Sequence, residues 1–258
     1  MSVRAATAQS TPRLAPKRAR QRADQLLVDQ GLAADVASAR ALLMSGRVHA
    51  DGRRYTQPGQ LLPANVHLCL RDQSAYVSRG GTKLAAALDA WPIDPVGRVC
   101  FDIGAATGGF TDALLQYGAN HVIAVDVGYG QLHPRLRDDP RVTALERTHV
   151  RRLPPLTLTP TLAVVDLSFI GLRQVLPEIA AALDAGSDLI ALVKPQFEAP
   201  PEDVDEHGVV RDRLVQAEAV SRVVAWALQR QWRIGGVLRS PLKGPAGNRE
   251  WFLWLRTP

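Results

Sequence analysis

The chain has 258 residues, 46% hydrophobic and 22% charged, a globular composition with room for one large domain and a small one. Its two cysteines, Cys69 and Cys100, and its six scattered histidines have no metal-ligand spacing, which argues against a disulfide framework or a metal site and suits a reducing cytoplasm. No apolar run reaches the ~18 residues that span a bilayer, the N-terminus lacks the apolar core of a secretory signal, and the whole net charge of +6 lies in residues 1–54, where ten Lys/Arg face four acids.

Residues 1–18 are Ala, Pro, Arg, Ser and Thr without periodicity, which predicts a disordered basic arm. Two short helices follow. The first starts at Asp24 as N-cap and stops at Gly31. The second starts at Asp35, carries Val36, Ala39, Leu42 and Leu43 on one face, and stops at Gly46. Asp51-Gly52 between two short extended segments predicts a hairpin, and Val66, Leu68 and Leu70 alternate as a further strand. Residues 19–70 thus read as a small α+β domain, within the segment whose excess of basic residues suits phosphates. Residues 71–78 form a polar connector.

From 79 to 258 the pattern alternates. Val99–Phe101, Val122–Val125, Val142–Leu145, Leu162–Val165 and Leu189–Val193 are short apolar runs, with helices expected near Thr111–Tyr117 and Leu172–Leu183. Such alternation predicts an α/β domain built on a doubly wound, mostly parallel sheet. A long helix after Asp212 should bury Leu214, Ala217, Val220, Val224 and Ala227, and Trp251–Leu255, apolar on both faces, should be a buried strand. Trp226, Trp232, Trp251 and Trp254 are expected in the core.

Asp102-Ile-Gly104-Ala105-Ala-Thr107-Gly108-Gly109-Phe110 follows the first strand of this domain and opens a helix. Small residues there let the backbone approach a bound cofactor. The spacing departs from the dinucleotide pattern and resembles the first motif of S-adenosylmethionine methyltransferases. Asp126, followed by Val127 at the next strand end, is placed to accept hydrogen bonds from ribose hydroxyls. Four further charges occupy strand or helix ends: Lys83, Asp166, Lys194 and Glu250. In a doubly wound sheet such ends converge on the ligand crevice, where Asp166 also borders the cofactor loop.

In the small domain, Asp24, Leu27, Ala39-Arg40, Gly46, Val48 and Asp51-Gly52 resemble the RNA-binding domain named for ribosomal protein S-four, which implies an RNA-facing basic surface drawn here from Arg20, Arg22, Arg40, Arg47, Arg53 and Arg54. The order Lys, Asp, Lys, Glu is similar to the tetrad of FtsJ-like RNA 2′-O-methyltransferases. Ser78–Leu84, Asp126–Leu132, Leu145–Thr148, Asp166–Ile170, Leu192–Glu198 and Gly247–Glu250 resemble the TlyA family, from about residue 18 to the end. That resemblance implies a Rossmann-like methyltransferase fold with an antiparallel last strand. It further implies S-adenosylmethionine as cofactor, no metal, and cytidine 2′-O-methylation in ribosomal RNA, on ribosomal subunits in the cytoplasm.

The chemistry gives the tetrad a reason. A 2′-hydroxyl is a poor nucleophile until its proton is removed, and a lysine serves as base only if its pKa falls from ~10.4. Asp166 and Glu250 would hold the two ammonium groups. We assign Lys194 as base and Lys83 to position the 2′-oxygen, the reverse being the alternative. Two departures from the family pattern stand out: Ala246 where many relatives have serine, and Ser74-Ala75-Tyr76-Val77 where some carry Arg and Trp. Competing readings are a non-catalytic ribosome-assembly factor, a membrane-active haemolysin and a small-molecule methyltransferase.

Overall fold

A computed structural model describes residues 19–70 and 75–258. The expected disordered arm over 1–18 and the first half of the connector, 71–74, lie outside them. The chain forms two compact units, Met1–Gln73 and Ser74–Pro258.

The first unit runs β1 (Arg20–Arg22), α1 (Ala23–Asp29), α2 (Val36–Met44), β2 (Val48–Ala50), β3 (Arg53–Tyr55), β4 (Leu61–Pro63) and β5 (Cys69–Leu70). β1 pairs with β4, and β3-β2-β5 form a three-stranded antiparallel sheet. Leu26, Leu27, Ala39, Leu43, Val48 and Leu62 close a small core. The expected stops and turns are present. Gly31 and Gly46 have φ of +69° and +72° just past the two helices, and Asp51 and Gly52 turn the hairpin at +48° and +77°. Asp35 caps α2, accepting from the Ser38 N–H at 2.7 Å.

Two expectations change and two strands are new. Asp24 is no cap: Arg22 holds that position without a side-chain capping bond, and Asp24 sits inside the first turn at 1% exposure. β1 and β4, three residues each, are too short to show a period. The Val66–Leu70 alternation yields only the two-residue β5, because the Val66 N–H turns back to the Pro63 carbonyl at 2.9 Å.

The second unit runs α3 (Arg79–Ala90), β6 (Val99–Ile103), α4 (Gly109–Gln116), β7 (His121–Val125), α5 (Pro134–Arg137), β8 (Val142–Leu145), β9 (Leu162–Val165), α6 (Leu176–Ala181), β10 (Asp188–Val193), α7 (Pro195–Glu198), α8 (Arg213–Gln229), β11 (Arg233–Arg239) and β12 (Trp251–Arg256). Seven strands make one sheet in the order β11-β12-β10-β9-β6-β7-β8. The pairs from β10 to β8 are parallel, and β12 is antiparallel to both neighbours. This is the doubly wound sheet with an antiparallel last strand.

Strand side chains alternate between faces, so the sheet divides two cores. Phe101, Val165, Ala191, Val193 and Leu253 pack with α6 and α8 on one face. Cys100, Val164, Leu192 and Phe252 pack with α3 and α4 on the other. Burial pushes the Cys100 thiol up to about 12.

Two helix expectations need correction, and one strand was not foreseen. The segment 172–183 breaks into a 3-10 turn, Leu172–Gln174, and α6, because Pro177 has no N–H to continue a helix. In α8, capped by Asp212 as expected, the buried stripe is Gln216, Ala219, Val220, Val223 and Ala227, while Leu214 is 73% exposed. Gln216 turns inward because its Nε2 donates to the Val210 carbonyl at 2.6 Å. The unforeseen strand is β11, whose Gly235-Gly236 pair weakens any strand signal. Of the four tryptophans, Trp232 is fully in the core, and the others are half-buried against it.

Candidate active site

The sheet brings three of the four candidate charges to one edge. Val193 of β10 lies opposite Trp251 of β12, so the next residues outward are Lys194 and Glu250. Asp166 follows β9, the parallel neighbour of β10. Lys83 comes from the second turn of α3. The four side chains form two ion pairs. Lys83 Nζ donates to Glu250 Oε2 at 2.6 Å, with side chains only 9% and 1% exposed. Lys194 Nζ lies 2.7 Å from Asp166 Oδ1 and also donates to Ser168 Oγ at 3.0 Å.

Two cavities meet at these pairs. The larger, about 550 Å³, is lined by Gly104, Ala106, Asp126, Val127 and Asp166 among others. The second, about 340 Å³, is lined by Lys194, Phe197, Asn248 and Glu250, and Ser168 and Phe169 line both. Lys83 lines neither; it reaches the second cavity through Glu250. One ammonium therefore faces an open cavity and the other is closed behind a carboxylate.

The loop after β6 is built for close approach. A Cβ on Gly104 would lie 2.4 Å from the Asp166 carbonyl oxygen, and one on Gly108 would lie 2.3 Å from Leu136. Both glycines have φ near +90°, which L side chains adopt at a cost. The Gly104 and Ala105 N–H groups donate to the Val125 carbonyl, at 2.9 and 3.1 Å. Ala105, Thr107, Gly109 and Phe110 line a small hollow beside Asp166. Phe110 is only 3% exposed and packs its ring 6.1 Å from that of Phe252, so its main work is in the core.

The two loop carboxylates differ. Asp126 Oδ2 accepts from the Ala106 N–H at 2.8 Å and Oδ1 from the Gly128 N–H at 2.7 Å. Each oxygen keeps lone-pair capacity for a ribose hydroxyl. Asp102 lines neither large cavity. It is fully buried beneath the loop, accepts the Thr111 hydroxyl at 2.6 Å, and is pushed up to about 7 by burial.

Several contributors were not among the candidate site residues, although Thr148, Phe169, Glu198 and Asn248 lie in the segments that resemble the TlyA family. Thr148 and His149, the latter read as structural or surface, form a wall of the larger cavity. Phe169 is 91% exposed with φ +66°, 5.3 Å from the Phe197 ring. Glu198 is buried at the end of α7. Its Oε1 accepts from the Leu172 N–H at 2.6 Å, tying the Lys194 segment to the loop after Asp166, and burial raises its pKa. Asn248 pins the 208–210 loop, accepting from the Val210 N–H and donating to the Gly208 carbonyl.

The candidate RNA-facing arginines of the first unit divide into groups. Arg20, Arg53 and Arg54 are exposed, but Arg53 and Arg54 are strand neighbours and point to opposite faces. Arg22 and Arg40 both pair with Asp24, at 2.7 and 3.2 Å, and the Arg22 hydrogen bond leads in holding Asp24 down at about 2. Arg47 is half-buried.

Among the described residues, no helix is long and apolar enough to cross a membrane, and no cluster of three or more His, Cys, Asp or Glu is placed to hold a metal. Residues 76–257 match the FtsJ-like methyltransferase family. The 16S/23S rRNA (cytidine-2′-O)-methyltransferase TlyA of Mycobacterium tuberculosis strain H37Rv is 46% identical over 242 residues, 92% of this chain and 90% of that protein. YqxC of Bacillus subtilis strain 168, an rRNA methyltransferase by name, is 42% identical over 93% of this chain and 86% of its own length. A hemolysin-named protein of Streptococcus thermophilus has a similar solved structure. Its TM-score is 0.71 at 38% identity, with 93% of this chain and 90% of that chain covered.

Proposed function

This chain belongs to the TlyA family of FtsJ-like methyltransferases, and from that premise we propose that it methylates a cytidine 2′-hydroxyl in ribosomal RNA with S-adenosylmethionine as donor. Such a substrate places its work with ribosomes in the cytoplasm. The carrying observation is the pair of lysine–carboxylate contacts where two cavities meet.

The larger cavity suits the cofactor. Gly104 leaves room that a side chain would fill, and Asp126 stands on the wall to receive ribose hydroxyls. When bound, S-adenosylmethionine supplies a methyl group already activated on a sulfonium. The chain's residues then have two tasks. One is to hold the target oxygen in line with that methyl, which by itself removes a large entropic part of the barrier. Glu250 and Lys194, side by side on the second cavity, border the place where a nucleoside would enter. The other task is to take the hydroxyl proton as the new C–O bond forms. We assign that to Lys194 once its ammonium has released a proton to solvent, with Asp166 and Ser168 fixing its direction. Lys83 fixes the Glu250 carboxylate from behind. Arg20, Arg53 and Arg54 of the first unit would attract the RNA backbone.

The test is direct. Purified protein, methyl-labelled S-adenosylmethionine and ribosomal subunits are incubated, and the RNA is digested to nucleosides. Label in 2′-O-methylcytidine is expected. Label on a base, or none in RNA, would refute the reading.

A further inference from the structure

The second unit hides a charge feature that its balanced composition conceals. A hollow of about 180 Å³ at the end of β11 is lined by Arg239, Ser240, Pro241, Leu242, Lys243 and Arg249. No acid lines it. Other cations of this unit, such as Arg98, Arg135, Arg137, Arg141 and Arg256, each meet a carboxylate. Among the described residues, Arg239, Lys243 and Arg249 have no such partner. Three like charges around one hollow repel each other, and an anion between them removes that repulsion.

The hollow adjoins the candidate active site. Arg239 is register partner to Trp251, and the Ser240 N–H donates to the Glu250 carbonyl at 2.9 Å. Arg249 directly precedes Glu250. The loop wraps the Glu250 carboxylate so closely that a Cβ on Gly244 would lie 2.6 Å from Oε1. It is held in shape as well. Gly244 N–H donates to the Asn248 carbonyl and Gly247 N–H to that of Gly244, both at 2.9 Å. Arg79, from the helix that carries Lys83, donates to the Lys243 carbonyl at 2.7 Å.

We propose that Arg239, Lys243 and Arg249 form a subsite for a backbone phosphate of the RNA strand next to the methylated nucleotide. The proposal rests on the RNA-methylation reading above. It gives the catalytic unit its own grip on the strand, distinct from the charge of residues 1–54. Such a contact sets the strand's register and carries no sequence information.

The test compares wild type with the Arg239→Gln/Lys243→Gln/Arg249→Gln variant, and with the milder Arg239→Gln/Lys243→Gln variant, which leaves the segment before Glu250 intact. S-adenosylmethionine affinity, equal to wild type, reports correct folding. The triple variant should raise KM for ribosomal RNA roughly tenfold or more, with kcat nearly unchanged. It should also flatten the dependence of log affinity on log salt by about 0.7, the contribution of one single-strand phosphate contact. The double variant should show a smaller change in the same direction. Unchanged KM and salt slope in variants that bind the cofactor would overturn the subsite while leaving RNA methylation standing. So would unchanged RNA affinity with lost binding to phosphatidylglycerol vesicles, which would make the hollow a lipid site. Wild-type protein that methylates no ribosomal RNA would remove both.

Discussion

In the first unit, Arg20, Arg53 and Arg54 stand in solvent, and Arg22 and Arg40 bracket a single buried acid. In the second, Lys83 and Lys194 are nearly out of water, each against one carboxylate. Exposed charge acts at a distance and is screened by salt within about 10 Å. Sheltered charge acts only on what enters its cavity, but at a fixed position. Two aspartates make the same contrast. Both are shielded from solvent, yet Asp24, near the surface of its unit, is held at about 2 chiefly by its hydrogen bond to Arg22, while Asp102, deep beneath the loop, is pushed to about 7 by burial. A cationic partner decides the first and desolvation the second.

The largest expected effect tests the sheltered side. Lys83→Met leaves Glu250 buried without its cation, which should cost about 3–5 kcal/mol of stability and lower methyl transfer about 100-fold or more. Urea unfolding and single-turnover transfer measure the two. Adding Glu250→Gln should restore most of the stability and none of the activity. A Lys83→Met protein as stable as wild type would break the comparison.

Asp102 gives an intermediate effect. Its folded pKa lies above its unfolded value, so its contribution is fully present below about pH 4 and is lost as pH rises through 7. Asp102→Asn should remove that loss, gaining on the order of 2 kcal/mol relative to wild type between pH 5 and 8. Melting temperatures across that range, converging with rising pH or crossing in the variant's favour, would show it. Parallel curves would contradict the assignment.

The smallest effect on stability belongs to the exposed side. Arg20→Gln/Arg53→Gln/Arg54→Gln should change stability by less than about 0.5 kcal/mol. It should raise KM for RNA and weaken its salt dependence, with kcat held. A fall in kcat instead would mean that these arginines do more than attract.

What the sequence disclosed follows the same division. Buried strands were legible because β9 and β10 are apolar on both faces. The cofactor loop was legible because its glycines cluster. β11 was not, being an edge strand with alternating exposure and two adjacent glycines. Asp24 looked like a cap because capping and burial use the same residue type; only the arginines around it reveal the difference. The tetrad could be named, but not its pairing. Lys83 and Glu250 lie 167 residues apart, and nothing local says which lysine meets which acid. Phe169 and the Arg239–Lys243–Arg249 hollow were invisible for a related reason. Exposure of an apolar ring, and convergence of unpaired cations, are properties of the folded surface.

The decisive measurement is single-turnover methyl transfer to ribosomal RNA by Lys194→Ala, with S-adenosylmethionine affinity determined on the same preparation. Transfer should fall by about 10³ or more while cofactor affinity stays within about threefold of wild type. Transfer at the wild-type rate, with the cofactor bound normally, would show that the proton leaves by another route and that the lysine in the open cavity is not the base.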